Sequence, residues 1–132
     1  MRAFLITLED HPGAFAEVVE LVAEKGVNIV SATVGDCGGG GVAAIMTNDE
    51  STTRVALLEA GCEYRETVVI EAAMRHEPGA LATVCRRLAA AGINIQALLP
   101  VGMEGTEIEF GFVTSDPARA REILEPAGML FG

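Results

Sequence analysis

The order of apolar and polar residues in the first half of the chain predicts alternating strands and helices. Arg2 to Glu9 is an apolar-rich run of strand length that ends at Asp-His-Pro-Gly. From Ala14 to Lys25, apolar residues recur at helical spacing and glutamates occupy the opposite side. Because proline is tolerated in the first turn of a helix, we expect this helix to begin at about Pro12, where Asp10 or His11 can cap its free amides.

The rest of the first half supplies two more strands and a second helix. Gly26 is a helix-terminating residue, and Val27 to Val34 follows it as a β-branched strand. The glycines from Gly38 to Gly41 then predict a flexible hairpin into a third strand, Val42 to Thr47. A phosphate-binding loop is not expected there, because no Lys-Ser/Thr follows the glycines. A helix with early acidic residues runs on to about Ala60.

The junction between the two halves carries no turn signal. Between Gly61 and Pro78 there is neither glycine nor proline, and Cys62 to Met74 has extended-type sequence. The last strand of the first half therefore either runs with little interruption into the next strand, or bends at the charged stretch Arg65 to Thr67.

The second half repeats the first. The stretch Asp10 to Ile29 recurs as His76 to Ile95 at an offset of 66 residues without a gap. Asp116-Pro117 opens a second helix, as Asn48 to Ser51 does in the first half, and Pro126 and Gly128 are expected to end it. Each half therefore reads strand, helix, strand, strand, helix, strand, and we predict two units, residues 1–66 and 67–132.

Charge and cysteine usage exclude several classes of function. The formal net charge is -10, from 19 acidic and 9 basic side chains, so we expect neither nucleic acid nor a membrane surface as a partner. No apolar stretch reaches the roughly 20 residues of a membrane span, and no signal peptide is evident, which predicts a cytoplasmic protein. The three cysteines, Cys37, Cys62 and Cys85, form no Cys-x-x-Cys pair, so no metal site, metal carrier or disulfide framework is indicated.

Catalysis is not indicated either. The two histidines, His11 and His76, have no serine or cysteine nearby in the sequence with which they could form a nucleophile and base pair. We therefore expect neither an enzyme nor a bound cofactor.

The repeated unit resembles the ACT domain family. Asp-x-Pro-Gly or His-x-Pro-Gly opens the first helix of each half, and Gly-Val/Ile-Asn-Ile follows that helix. Nearly the whole chain is similar to a tandem ACT protein without an attached enzyme. The resemblance implies an α+β fold of two ferredoxin-like units, each a four-stranded antiparallel sheet with two helices on one face, and it implies domains that pair through their sheet edges.

The resemblance also implies a ligand site. Family members bind an amino acid or similar metabolite between paired domains, with contacts from the loop before Pro-Gly and from the Asn of Gly-x-Asn-Ile. Free amides at a helix N-terminus suit a carboxylate, and glycine lets a ligand approach the backbone. The alternative is that Pro-Gly merely starts a helix and Asn merely adopts unusual backbone angles. The implied binding residues are Asp10, His11, Pro12, Gly13, Ala14, Phe15, Asn28 and Ile29 in the first unit, and His76, Glu77, Pro78, Gly79, Ala80, Leu81, Asn94 and Ile95 in the second.

We expect the two sites to differ. Asp10 accepts from an ammonium group, whereas His76 at the equivalent position donates to an anion, so an amino acid should prefer the site of Asp10, with Asn28 as a second contact. Serine-sensing members carry Asn two places before the proline and His four places before it. Those positions are Asp10 and Leu8 in the first unit and His76 and Met74 in the second, so serine is not the expected ligand.

These expectations describe a non-catalytic regulatory protein that forms a homodimer and acts on an enzyme. The alternative is an assembly module that binds no ligand and only mediates oligomer formation. The offset aligns Glu20 with Arg86, so we expect the first unit to pair with a second unit, within the chain or across a dimer, rather than with another first unit.

Overall fold

The structure is a computed structural model that describes residues 1–36 and 38–125, and the chain divides into two compact units. The first unit is Arg2–Thr67, and the second is Val68–Gly132 together with Met1. The Met1 carbonyl oxygen accepts a hydrogen bond from the Val69 N–H at 2.9 Å, which ties the first residue to the second unit.

The first unit contains the predicted order of elements around one sheet. Its elements are β1 (Arg2–Leu8), α1 (Ala14–Glu24), β2 (Ile29–Asp36), β3 (Gly41–Thr47), α2 (Glu50–Glu59) and β4 (Tyr64–Val68). The strand order is β2-β3-β1-β4, and β1 and β2 both run antiparallel to β3.

One face of this sheet packs against both helices. Phe4 and Ile6 of β1, Val22 of α1 and Leu57 of α2 are buried in a single cluster. Side chains alternate along a strand, so Phe4 and Ile6 leave β1 on the same face. Both helices of the first unit therefore lie on one side of the sheet, as predicted.

The second unit repeats this arrangement as far as the structure describes it. Its elements are β5 (Ile70–Arg75), α3 (Ala80–Ala90), β6 (Ile95–Glu104), β7 (Glu107–Thr114) and α4 (Pro117–Leu124). The sheet has the antiparallel order β5-β7-β6, which corresponds to β1-β3-β2 of the first unit. The predicted fourth strand, and Pro126 and Gly128 as the end of the last helix, lie outside the described residues. The α+β prediction with two ferredoxin-like units is confirmed.

The prediction for the start of the first helix is wrong. The first helix begins at Ala14 rather than Pro12, and Gly13 occupies the N-cap position without a side-chain cap, so neither Asp10 nor His11 caps it. Of the two alternatives for the junction, the nearly uninterrupted one is confirmed, because residues 65–67 lie inside β4 and only Val69 separates β4 from β5. Pairing of β4 beside β1 keeps this charged stretch extended.

A buried hydroxyl pair distinguishes the two units. The Oγ1 atoms of Thr47 and Thr53 lie 2.8 Å apart in the first unit, where both residues are buried. Thr114 takes the place of Thr47, since each pairs with the first residue of the neighbouring strand. Ala120 takes the place of Thr53, since each donates its N–H to the carbonyl oxygen of the N-cap aspartate of its helix. The buried Thr114 Oγ1 consequently has no hydrogen-bond partner among residues 1–36 and 38–125.

We therefore expect Thr114→Val to raise the free energy of unfolding by about 1 kcal/mol, because valine has the same shape and removes an unpaired buried hydroxyl. Thr47→Val is the matched control and should lower the free energy of unfolding, because it breaks the hydroxyl pair. Urea unfolding of both variants beside the parent chain measures the two changes. A loss of stability in Thr114→Val equal to that in Thr47→Val would contradict this assignment.

Candidate functional site

The loop between β1 and α1 presents the first predicted binding residues at the surface. The His11 N–H donates to the Glu9 carbonyl oxygen at 3.1 Å, and the Ala14 N–H donates to the His11 carbonyl oxygen at 3.3 Å. Gly13 has φ 91° and ψ -6°, a left-handed conformation that favours glycine. A Cβ added to Gly13 would meet no atom within 4 Å, so the backbone angle, not a lack of space, requires glycine there.

The two helices of the first unit start differently. At α2, the Asp49 carboxylate accepts from the Thr52 N–H at 3.0 Å and from the Thr52 hydroxyl at 2.6 Å, and both bonds lower the pKa of Asp49. At α1, no described side chain caps the helix. The start of α1 therefore has no side-chain acceptor among the described residues, and the Ala14 N–H donates to the backbone instead.

The second unit shows the same contrast. Gly79 has φ 89° at the N-cap of α3 and again no side-chain cap among the described residues, whereas Asp116 caps α4 through the Arg119 N–H at 3.1 Å. The His76 N–H donates to the Thr106 carbonyl oxygen at 2.8 Å, which ties this loop to the hairpin between β6 and β7. Glu77, Pro78 and Gly79 are exposed, as Asp10, Pro12 and Gly13 are in the first unit.

The asparagines are held by their backbones and leave their side chains exposed. The Asn28 N–H donates to the Asn48 side-chain oxygen at 3.0 Å, and the Asn48 N–H donates back to the Asn28 carbonyl oxygen at 3.1 Å. Ser115 exchanges the equivalent bonds with Asn94, both at 2.9 Å. Among the residues described, only glycines have positive φ. An unusual backbone angle therefore does not explain Asn28 or Asn94.

Within one unit, the loop and the asparagine are far apart. Gly13 precedes α1 and Asn28 follows it, and a helix of 11 residues is about 16 Å long. The same separation divides Gly79 from Asn94. A small amino acid bound at one loop therefore does not reach the asparagine of the same unit.

Five of the predicted site residues have a packing role. Phe15 and Ile29 are half-buried against the core of the first unit, and Leu81 and Ile95 pack in the same way in the second. Ala14 also packs against the first core, and Ala80 is half-buried. These side chains therefore anchor the motif to the core of each unit.

A pocket of about 380 Å³ lies beside the first loop. It is bounded by the end of β1, the first turn of α1 and the turn between α2 and β4. Of the predicted binding residues, His11 and Ala14 line it and Asp10 does not. Glu9, at the start of the same loop, also lines it, and so does Glu63, which the sequence did not indicate. Glu63 comes from a turn distant in sequence, so no local motif could have indicated it.

The pocket is lined by acidic side chains and by the thiol of Cys62. Glu9, Glu17 and Glu63 contribute three carboxylates to its lining. Cys62 lies in the same lining, and burial raises the pKa of its thiol, which disfavours the nucleophilic thiolate. The three carboxylates therefore favour a cationic group of a ligand in this pocket. The raised pKa of Cys62 disfavours a covalent bond to its thiol.

His11 is the titratable donor of this loop. Its Nδ1 lies 3.0 Å from the Pro12 carbonyl oxygen, and its Nε2 lies 3.3 Å from Glu9 Oε2. The hydrogen bond to Pro12 is the main cause that raises the pKa of His11, and the charges of Glu17 and Glu9 raise it further. Protonation adds a donor at the ring, so the charged form is the one this loop stabilises.

We expect His11 to titrate above its ordinary pKa of 6.5, because both partners favour the imidazolium. A raised pKa means that His11 stabilises the fold below its unfolded pKa and loses this contribution as the pH rises through its folded pKa. Glu9→Gln should lower the pKa of His11 only in part, since the Pro12 carbonyl oxygen remains. Proton NMR of the His11 ring measures both values, and titration of the parent chain at or below 6.5 would refute the proposed contacts.

The described residues form no cluster suited to a metal ion. Within residues 1–36 and 38–125, no group of three His, Cys, Asp or Glu side chains is arranged to hold one. No helix in the same residues is long and apolar enough to cross a membrane.

Comparison with known proteins gives one family and several solved structures. Residues 3–60 match the sequence model of the ACT domain. No curated protein sequence is significantly similar to the chain. A crystal structure of a Bacteroides thetaiotaomicron protein has a TM-score of 0.82 at 22% identity, covering 98% of this chain and 89% of that one.

Two regulatory subunits of aspartate kinase are also similar. The ligand-free subunit from Thermus thermophilus has a TM-score of 0.65 at 19% identity, covering 96% of this chain and 90% of that chain. The Thermus flavus subunit has a TM-score of 0.63 at 21% identity, covering 96% and 91%. At these identities the likeness concerns the fold.

The family match and the repeat agree with each other. Residues 3–60 cover the first five elements of the first unit. The described part of the second unit repeats the Pro-Gly motif, the order of elements and the left-handed glycine at the start of its first helix. Residues 3–60 therefore match the ACT domain family, and the described part of the second unit resembles a second copy of the same domain.

Proposed function

We propose that this protein is a non-catalytic regulatory module that binds a small amino acid or related carboxylate at a Pro-Gly loop, defined as Asp10–Gly13 in the first unit and His76–Gly79 in the second. The contrast between helix starts carries the proposal. The helices after the Pro-Gly loops have no side-chain cap among the described residues, whereas Asp49 and Asp116 cap the other helix of each unit. The match of residues 3–60 to the ACT domain model supports a regulatory, ligand-binding role.

The carboxylate of the ligand is assigned to the first turn of α1. Uncapped amides at a helix N-terminus carry partial positive charge and form a ready anion site. Open space around Gly13 permits close approach to the backbone. The equivalent first turn of α3 offers the same amides behind Gly79.

The ammonium group is assigned to the first unit. Asp10 is exposed on its Pro-Gly loop, and Glu9 and Glu63 line the adjoining pocket. The offset of 66 residues replaces Glu9 and Asp10 by Arg75 and His76 in the second unit. The acidic side chains of the first loop attract the ammonium group of an amino acid. The basic side chains at the second loop do not, so an amino acid should prefer the first loop.

We assign the contact between the ligand and an asparagine side chain to a second copy of the chain. Asn28 lies about the length of α1 away from the Pro-Gly loop of its own unit, as a helix of this size dictates. We propose that an exposed asparagine of another copy, Asn28 or Asn94, completes the site. A homodimer is then part of the binding mechanism, and ligand binding changes the contacts of the dimer with a regulated enzyme.

A panel of the twenty amino acids, screened by thermal shift, tests the proposal. A ligand that binds only the folded chain at 100 times its dissociation constant adds about 2.7 kcal/mol. By calorimetry, Asp10→Ala should weaken the ligand found in this way by about tenfold, because a charge-assisted hydrogen bond to the ammonium is lost. His76→Ala is the matched control and should bind like the parent chain.

Undiminished affinity in both variants would show that neither loop is the site. A panel without any stabilising amino acid, obtained with a chain that still self-associates, would instead favour an assembly module that binds no ligand.

A further inference from the structure

A cavity of about 370 Å³ lies between the end of α3 and α4 in the second unit. It is lined by Arg87, Ala90 and Ala91 of the α3 end and by Arg119 and Ile123 of α4. Both arginines are exposed. Two guanidinium groups and three apolar side chains therefore share one cavity, and its volume lies in the range of small-molecule sites, roughly 300–1,000 Å³. We call it the arginine cavity.

The first unit bridges its helices at the corresponding place. By the offset of 66 residues, Arg87 stands where α1 has Leu21, and Ala91 stands where the first unit has Lys25. The Lys25 Nζ lies 2.7 Å from Glu59 Oε2, so this ion pair joins the end of α1 to the end of α2. In the second unit, alanine replaces the lysine, and no ion pair joins α3 to α4 within residues 1–36 and 38–125. The repeat has thus lost a bridge and gained an arginine at this place.

The position of Arg119 does not serve the stability of α4. Arg119 lies in the first turn of the helix, which begins at Pro117, and the helix dipole disfavours a cation there. Thr52 occupies this position in the first unit, since each donates its N–H to the N-cap aspartate of its helix. The salt bridge from Arg119 to Glu122 is 3.8 Å long and exposed, and such pairs contribute only about 0–1 kcal/mol. The fold therefore gives little reason for an arginine here.

The guanidinium of Arg87 is available to a ligand. Arg87 lies in the last turn of α3, where a cation suits the helix dipole. It forms no salt bridge with any residue that the structure describes. Its charge is therefore not neutralised by a described carboxylate.

We propose that the arginine cavity binds the phosphate group of a small phosphorylated molecule, with Arg87 and Arg119 as its cationic partners. A phosphate monoester carries a charge of about -1.5 to -2 at pH 7, which matches two guanidinium groups. The planar fork of arginine donates two parallel hydrogen bonds to phosphate oxygens. Because the chain has a net charge of -10, only a local concentration of positive charge can hold such an anion. The organic part of the molecule contacts the apolar wall formed by Ala90, Ala91 and Ile123.

This site is separate from the proposed amino-acid site. No residue of either Pro-Gly loop lines the arginine cavity, and the two sites bind ligands of different chemistry. Asp10→Ala should therefore bind a phosphate ester like the parent chain. Failure of the amino-acid site and failure of the arginine cavity are thus distinguishable.

Titration of the full chain with phenyl phosphate, followed by NMR of the arginine Nε–H groups, tests the proposal. The signals of Arg87 and Arg119 should shift and saturate. Arg87→Gln and Arg119→Gln should each weaken binding by about tenfold or more, because each removes charge-assisted hydrogen bonds. Arg121→Gln is the matched control, since Arg121 is an exposed arginine of α4 that does not line the cavity, and it should bind like the parent chain. Phenol, which has the ring without the phosphate, should not bind.

A fourth variant fills the cavity. Ala90→Glu places a carboxylate beside the arginines, at a position where α1 carries Glu24, so the helix tolerates this side chain. It should abolish binding of phenyl phosphate. Shifts that do not saturate, undiminished affinity in both arginine variants, an equal loss in Arg121→Gln, or equal binding of phenol would overturn the proposal.

Discussion

The left-handed backbone at Gly13 and Gly79 is the constraint on which the rest of the site depends. It fixes the residue at which each first helix begins, and it removes the side chain that would otherwise stand at the N-cap. Among the described residues, no side chain then accepts from the first-turn amides of α1 and α3, although Ala14 and Ala80 donate to backbone carbonyl oxygens. The second helix of each unit shows the alternative, since Asp49 and Asp116 satisfy such amides internally. Only the first helices can offer an anion site without losing a cap.

Much of the fold follows from periodicity and from the repeat, because both are local. The alternation around Phe4 and Ile6 and the helical spacing of Val18 and Val22 predicted which faces are buried. The sequence pattern could not show that the Asp10 side chain does not cap α1. Whether a residue caps a helix depends on its backbone angles, which the sequence does not give. It also could not bring Glu63 to the pocket, because tertiary pairing of distant segments does that.

The proposed function couples two events, the binding of a ligand and the association of two copies. The asparagine needed from another copy couples the two events in the same direction, so binding and association should strengthen each other. Under the proposed function, this coupling would pass the signal to the regulated enzyme.

The central claim is that a ligand carboxylate binds the uncapped start of α1. Amide NMR tests it most directly, by comparing an amino acid that stabilises the chain with its carboxamide analogue, which lacks the carboxylate. We predict that the amides of Gly13, Ala14 and Phe15 shift with the amino acid and stay in place with the analogue. Equal shifts with both compounds, or shifts confined to other parts of the chain, would contradict the claim.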